Sequence, residues 1–251
     1  PEGYLITASG GTPYGPASAE ILYTNAGTYE IRRVQLAELI LSGEIAPTES
    51  GVYAGTLRAN GNGISGTIAL SDRGGDQFVA IDLTGRDIAL AGDPAISLDR
   101  GDVDMTVLMT GEVPIVEGTA QFAALRYGEF RMDAGRASFS YENGRGAARI
   151  VAEGRMPTPY EVAVNGRFTS EQLIAAVKGE VSGQPFQTVQ PMRVAMTDGA
   201  YVLSPVTIRM REGDVRLAGR FGDETQIQAR FEEFGLEILN AFMPPGGFSG
   251  S

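Results

Sequence analysis

Residues 191–231 alternate in character two by two. Met192, Val194 and Met196 are apolar, while Arg193, Ala195 and Thr197 between them are small or polar. A turn signal follows at Asp198-Gly199 and a break at Ser204-Pro205. Ile208 and Met210 then alternate with Thr207, Arg209 and Arg211. Glu212-Gly213-Asp214 turns the chain again, after which Val215, Leu217, Gly219 and Phe221 oppose Arg216, Ala218 and Arg220. Beyond Gly222-Asp223, Ile227, Ala229 and Phe231 oppose Gln226, Gln228 and Arg230. Successive side chains of a strand point to opposite faces. A period of two therefore predicts a meander with one apolar face and one Arg/Gln face.

The rest of the chain repeats this pattern. Strands are predicted over 4–8 and 19–24, two more within 28–45, and another over 52–60. Asn60-Gly61-Asn62-Gly63 is a hairpin signal, and Ile64, Gly66, Ile68 and Leu70 alternate beyond it. Val79, Ile81 and Leu83 predict the next strand, followed by two short ones at 87–91 and 95–98, divided by Gly92-Asp93-Pro94. Val103, Met105, Val107 and Met109 alternate with Asp102, Asp104 and Thr106. Phe122, then Phe130 and Met132, then Phe139 mark further strands before Asn143-Gly144. Ile150, Val162 and Val164 continue the apolar set, opposed by Arg149, Glu161 and Asn165. At 173–181, Thr169-Ser170-Glu171-Gln172 could open a helix, but strands on both sides favour a strand. Only about 234–243 reads as a short amphipathic helix. Ile238, Leu239, Phe242 and Met243 share a face, acids precede it, and Pro244-Pro245 ends it. The total is roughly sixteen to eighteen short strands, the signature of an all-β chain. No shift in composition marks a domain boundary, so 1–251 reads as a single segment. Such a pattern is compatible with a sandwich, a barrel, a β-helix or an open solenoid.

Composition narrows the function more than the fold. Glycine is 34 of 251 residues, about twice the usual share of roughly 7%, as suits a chain that turns often. The net charge of −11 argues against a nucleic-acid partner, whose phosphates need a basic footprint. Cysteine and histidine are both absent, which removes disulfides, thiol nucleophiles and the commonest general base and metal ligand. No run approaches the ~20 apolar residues of a membrane helix. The chain begins at Pro1 with no signal peptide, and reads as a piece of a longer protein.

Candidate chemistry is sparse. Gly61-Asn62-Gly63-Ile64-Ser65-Gly66 matches G-x-G-x-x-G, but a dinucleotide site needs a helix next, and an alternating strand follows instead. Asp99, Asp102 and Asp104 lack the spacing of a calcium loop. Asp82, Asp87 and Asp93 could supply a carboxylate pair for glycoside hydrolysis, yet acidic surface positions are ordinary in an acidic chain. We therefore expect no enzymatic activity, cofactor or metal. The methionines and aromatics on the apolar parity suit either core filling or a flexible lining for an apolar ligand.

Residues 201–222, with their Gly213-Asp214-Val215-Arg216-Leu217-Ala218-Gly219 return, resemble a recurring unit of the TamB family. So does the sequel at 236–250, a short apolar stretch followed by a Gly-rich restart. TamB is the inner-membrane-anchored part of the translocation and assembly module of Gram-negative bacteria and is related to AsmA-like proteins. The resemblance covers about 184–251 specifically and the rest by general pattern. It implies an elongated open β-groove, a β-taco of repeated antiparallel meanders, in the periplasm. It further implies phospholipid or another acyl-chain ligand, transfer between inner and outer membranes, support for outer-membrane protein assembly and protein secretion, and the barrel partner TamA in the full-length protein. This chain shows neither the family's N-terminal anchor nor its terminal partner-binding segment.

The expected groove lining follows from common parity. It comprises Val103, Met105, Val107, Met109 and Phe122; Phe130, Met132 and Phe139; Ile150, Val162 and Val164; Met192, Val194 and Met196; and Ile208, Met210, Val215, Leu217 and Ile227, expected to share one continuous concave face. Two alternatives stand beside it: a secreted β-helix serving as adhesin or carbohydrate-binding module, and a structural spacer whose apolar core is sealed.

Overall fold

Two-residue turns set the local architecture. Asn62-Gly63, Asn143-Gly144 and Ser182-Gly183 have positive φ at both positions, +48° and +74°, +50° and +74°, and +51° and +76°. This is the type I′ condition, whose twist matches that of the strands it joins. Gly61 pairs with Ile64 across the first of these turns and Val181 with Gln184 across the third. The G-x-G-x-x-G stretch is thus a hairpin, and the helix a dinucleotide would need is a strand.

A computed structural model describes residues 3–12, 15–90, 95–111, 113–128, 130–156, 158–197, 199–211, 213–222 and 225–232. These form eighteen strands and no helix. In chain order they are β1 (Gly3–Thr12), β2 (Gly15–Thr24), β3 (Tyr29–Leu36), β4 (Leu39–Pro47), β5 (Tyr53–Gly61), β6 (Ile64–Arg73), β7 (Asp76–Leu90), β8 (Ile96–Met109) and β9 (Ile115–Tyr127). There follow β10 (Phe130–Glu142), β11 (Arg145–Met156), β12 (Thr158–Phe168), β13 (Gln172–Val181), β14 (Gln184–Thr188), β15 (Met192–Thr197), β16 (Ala200–Met210), β17 (Gly213–Phe221) and β18 (Gln226–Glu232). The helix expected at about 234–243 lies outside the described residues. The chain divides into two compact units, one of 1–123 with 140–143 and one of 124–139 with 144–251.

In the first unit, β1 to β8 pair consecutively and antiparallel. Residues opposite one another share a face, so the registers convert alternation into rows. One row runs Ile31, Gly43, Leu57, Ile68, Ile81, Met105; the next runs Val34, Leu41, Ala59, Gly66, Leu83, Val103. The opposite face carries Ser42, Arg58, Thr67, Asp82 and Asp104 in line. The short strands expected at 87–91 and 95–98 are instead continuations of β7 and β8, with Ile88 opposite Leu98. Asp87, at φ +50°, lies within the strand rather than ending it, in a conformation Asp tolerates better than most residues.

In the second unit, β11, β12 and β13 pair in sequence. β14 takes one end of β13 and β15 the other, and both pair again with β16. The break between them ends at Pro191, which has no N–H for a ladder. β16, β17 and β18 complete the meander. Ser204-Pro205 does not divide β16; it appears as a register shift between Leu203 and Val206. At 169–172 the helix-like signal is a turn. Thr169 accepts at Oγ1 from the N–H groups of Glu171 and Gln172, at 3.3 and 3.2 Å, and the ambiguous segment beyond is β13.

Two features yield predictions. Gly43, Gly55 and Gly66 sit on the apolar face at φ +153°, +148° and +156°, and a Cβ there would strike the carbonyls of Thr56, Glu44 and Asp82 respectively. Gly55→Ala is expected to lower unfolding stability by about 1–3 kcal/mol, measured by denaturant melts. On the polar face of the second unit, Glu153, Glu161 and Glu180 lie directly opposite one another on β11, β12 and β13. Like charges so placed repel, and Glu161→Lys is expected to raise stability by about 0.2–1 kcal/mol, less at high salt.

Candidate functional site: the apolar faces and a tyrosine rim

Each unit presents one apolar face, and most of its large side chains are only half-buried. Among the described residues the buried hydrophobics are Leu22, Ile31, Ala59, Ala152, Ala175, Ala200, Val206, Met210 and Val215, and no large side chain is fully buried. A sheet face covered by a second layer buries its large side chains. Here Leu57, Ile68, Ile81 and Met105 stay half-exposed.

The residues expected to line a groove fall into two sets. On the first unit, Val103, Met105, Val107 and Met109 lie opposite Leu83, Ile81, Val79 and Gln77, and Phe122 is half-buried on β9. On the second, Ile150 opposes Val164, and Val162 opposes Ala152. Val194 lies opposite both Leu173 and Leu203, and Leu203 opposite Gly219, which faces Ile227. Met192 opposes Ala175 and Met196 opposes Tyr201. Ile208 opposes Val215, and Leu217 opposes Val206. Phe130, Met132 and Phe139 are half-buried on β10, with Phe130 stacked on Tyr160 at 6.0 Å between centroids. Burial varies within the set. Met109, Met196 and Ile227 are 56%, 49% and 64% exposed, whereas Met210 and Val215 are buried with Phe186, Ile208 and Leu217 around them.

Parity reasoning left out half of each face. Val79, Ile81 and Leu83 lie on the same side as the β8 set, and Val177, Phe186 and Leu203 on the same side as the second. Their alternation was visible in the sequence. What was missing was the register that places them beside the chosen residues.

The tyrosines form a feature that spacing along the chain does not reveal. Tyr4 opposes Tyr23 and Tyr23 opposes Tyr29, all on the apolar face at one end of the strands. The Tyr23 and Tyr29 rings lie 5.0 Å apart, and those of Tyr29 and Tyr53 5.9 Å apart, edge to face. Gln77 holds Tyr53 in place, accepting from its N–H at 2.7 Å and donating to its carbonyl at 2.9 Å. Asp72 ends the same rim, opposite Gln77. Its carboxylate accepts from the hydroxyls of Ser50 and Thr48 and from the Gly75 N–H. The Ser50 hydrogen bond, followed by that of Gly75, holds Asp72 below the ordinary carboxylate range.

Charge is divided unevenly. The first unit has seventeen acids against six arginines, and the second has fourteen of each sign. The open cavity of about 300 Å³ beside Asp133, Glu153, Tyr160, Glu161 and Glu180 includes the glutamate row of the polar face. Burial, with the nearby Asp133 charge, raises the Tyr160 phenol.

Comparison with known proteins identifies no relative: no protein-family model, curated protein or solved structure matches the chain.

The Tyr29 phenol is held above its ordinary value near 10. The largest cause is the charge of the neighbouring Tyr53 phenol, followed by burial and the hydrogen bond between the two hydroxyls. A raised pKa means the folded state binds the proton more tightly. Its contribution to stability is complete below the unfolded value and is lost as pH rises through the folded one. Ultraviolet titration should find Tyr29 and Tyr160 ionising late, and Tyr53→Phe should return Tyr29 alone toward 10. A titration unchanged by Tyr53→Phe would contradict the pairing.

Proposed function

We propose that this chain is a periplasmic segment of a TamB-like protein. In this reading it provides an apolar surface along which phospholipid passes between inner and outer membranes, in support of outer-membrane protein assembly. The observation that carries the reading is a run of apolar rows whose side chains are only half-buried, backed on β4 to β8 by the line Ser42, Arg58, Thr67, Asp82 and Asp104. Moving acyl CH₂ groups into water costs about 0.8 kcal/mol each, so a sixteen-carbon chain faces roughly 12 kcal/mol. Apolar rows remove most of that barrier, and an uncovered edge lets the headgroup keep its water. No covalent chemistry is required. Contact with TamA belongs to the full-length protein and to this proposal alone.

A second reading has one specific observation in its favour. Around Met210 and Val215 the apolar face closes on itself, with Phe186, Ile208 and Leu217 packed against them. That is how a sealed structural spacer would look. The antiparallel ladders of both units differ from the parallel coils of a β-helix.

Native mass spectrometry of the purified chain should find co-purified phospholipid, and a chain devoid of lipid would count against the conduit. Val107→Asp, at a half-exposed position, should abolish lipid transfer in the full-length protein while the melting temperature hardly moves. Leu217→Arg, against the buried cluster, should cost several kcal/mol of stability as well, because the charge has less access to water. If Val107→Asp is as destabilising as Leu217→Arg, the sealed spacer is favoured.

A further inference from the structure

The tyrosine rim sits where the apolar face of the first unit ends. Counting inward from the strand ends, the outermost row holds Tyr53, Asp72, Gln77 and Met109. The next holds Tyr23, Tyr29, Ile45, Leu70, Val79 and Val107, and the one after it is wholly apolar or glycine. The transition from a polar rim to an apolar floor therefore takes two rows. Residues two apart on a strand are about 7 Å apart, close to the step from a phospholipid headgroup to its first methylenes.

Two independent observations say what chemistry the rim would accept. The first is the aromatic set. Tyr23, Tyr29 and Tyr53 contact one another in sequence at tilted and edge-on angles, and Tyr23 and Tyr53 remain 36% and 38% exposed. Exposed ring faces attract organic cations. The second is charge. Asp72 is fixed on the same face by three donors, in a unit where acids outnumber arginines seventeen to six. Arg73, the nearest arginine in sequence to Asp72, is committed to the Phe78 ring, 3.6 Å from its centroid. A field of this sign draws cations and repels anions.

We propose that the rim formed by Tyr23, Tyr29, Tyr53 and Asp72 seats the ammonium end of a zwitterionic phospholipid headgroup, with the acyl chains on the apolar rows beside it. The inference rests on the lipid-conducting reading above and adds headgroup selectivity to it. Aromatic rings contact the ammonium, Asp72 supplies the countercharge, and an anionic headgroup of equal chain length is disfavoured by the same field.

The test uses the whole 251-residue chain, incubated with an equimolar mixture of phosphatidylcholine and phosphatidylglycerol carrying identical acyl chains. Native mass spectrometry reads both the total lipid bound and the ratio of the two. The wild type should enrich the zwitterionic lipid. Tyr29→Leu and Tyr53→Leu should each lower that enrichment by about two- to fivefold, Tyr29→Phe should keep most of it, and Asp72→Asn should lower it with total lipid unchanged. Melting curves accompany every variant, and Asp72→Asn, at the exposed end of β6, carries the test if a tyrosine variant does not fold. Bound lipid with an equal ratio, or a ratio indifferent to both Tyr53→Leu and Asp72→Asn, overturns the headgroup assignment and leaves the conduit standing. A wild type that retains neither lipid overturns both.

Discussion

The backbone ladder is the constraint on which everything else depends. A strand cannot satisfy its N–H and C=O groups within itself, so each must find a neighbour. Here the neighbour is almost always the next strand in sequence, joined by a short turn. Consecutive antiparallel pairing needs no helix and no crossover, and the described residues have none. Each pairing register then decides which side chains share a face. The apolar rows and polar rows of both units are consequences of those registers, not separate features.

Partial burial has an energetic consequence. Among the described residues most side chains of the apolar faces are buried only part-way. Large side chains such as Leu57 and Ile81 lose only part of their hydrophobic stabilisation. Stability must then lean on ladder hydrogen bonds and cross-strand pairs. This makes glycine placement consequential. At Gly43, Gly55 and Gly66 the partner backbone comes so near that no Cβ fits, and the ladder runs on through them. The same half-burial that weakens the fold leaves apolar surface accessible to a flexible ligand. Around Met210 and Val215, packed with Phe186, Ile208 and Leu217, the chain behaves more like an ordinary core.

The proposed headgroup site lies where the regular rows are interrupted. The tyrosine rim and Asp72 stand at strand ends, where polar and apolar environments meet and an amphipathic ring is well placed. The glutamate row on β11, β12 and β13 is a different interruption. It sits on the polar face, where water screens repulsion that would be prohibitive among apolar side chains.

Much of the fold was legible in the sequence because a period of two and Asn-Gly turns are local signals. Each depends on a few adjacent residues and on the chirality of the backbone. Strand existence, the apolar parity of Val103 to Met109 and of Met192 to Met196, and the hairpin at Asn62-Gly63 all follow from such signals. Where strands end was less legible, since the short strands read at 87–91 and 95–98 belong to β7 and β8, and Ser204-Pro205 looks like a break but is absorbed by a register shift. What only the tertiary structure decided is adjacency. Tyr4, Tyr23, Tyr29 and Tyr53, like Glu153, Glu161 and Glu180, are scattered along the chain and meet only through registers. Those registers carry shifts at Glu20/Ile21, Ile31/Val34 and Leu203/Val206. One extra residue in a strand exchanges its faces from that point on. Parity read along a single strand therefore cannot say what lies beside it: the position of a bulge is settled by how two strands fit, and neither strand's sequence contains that fit alone.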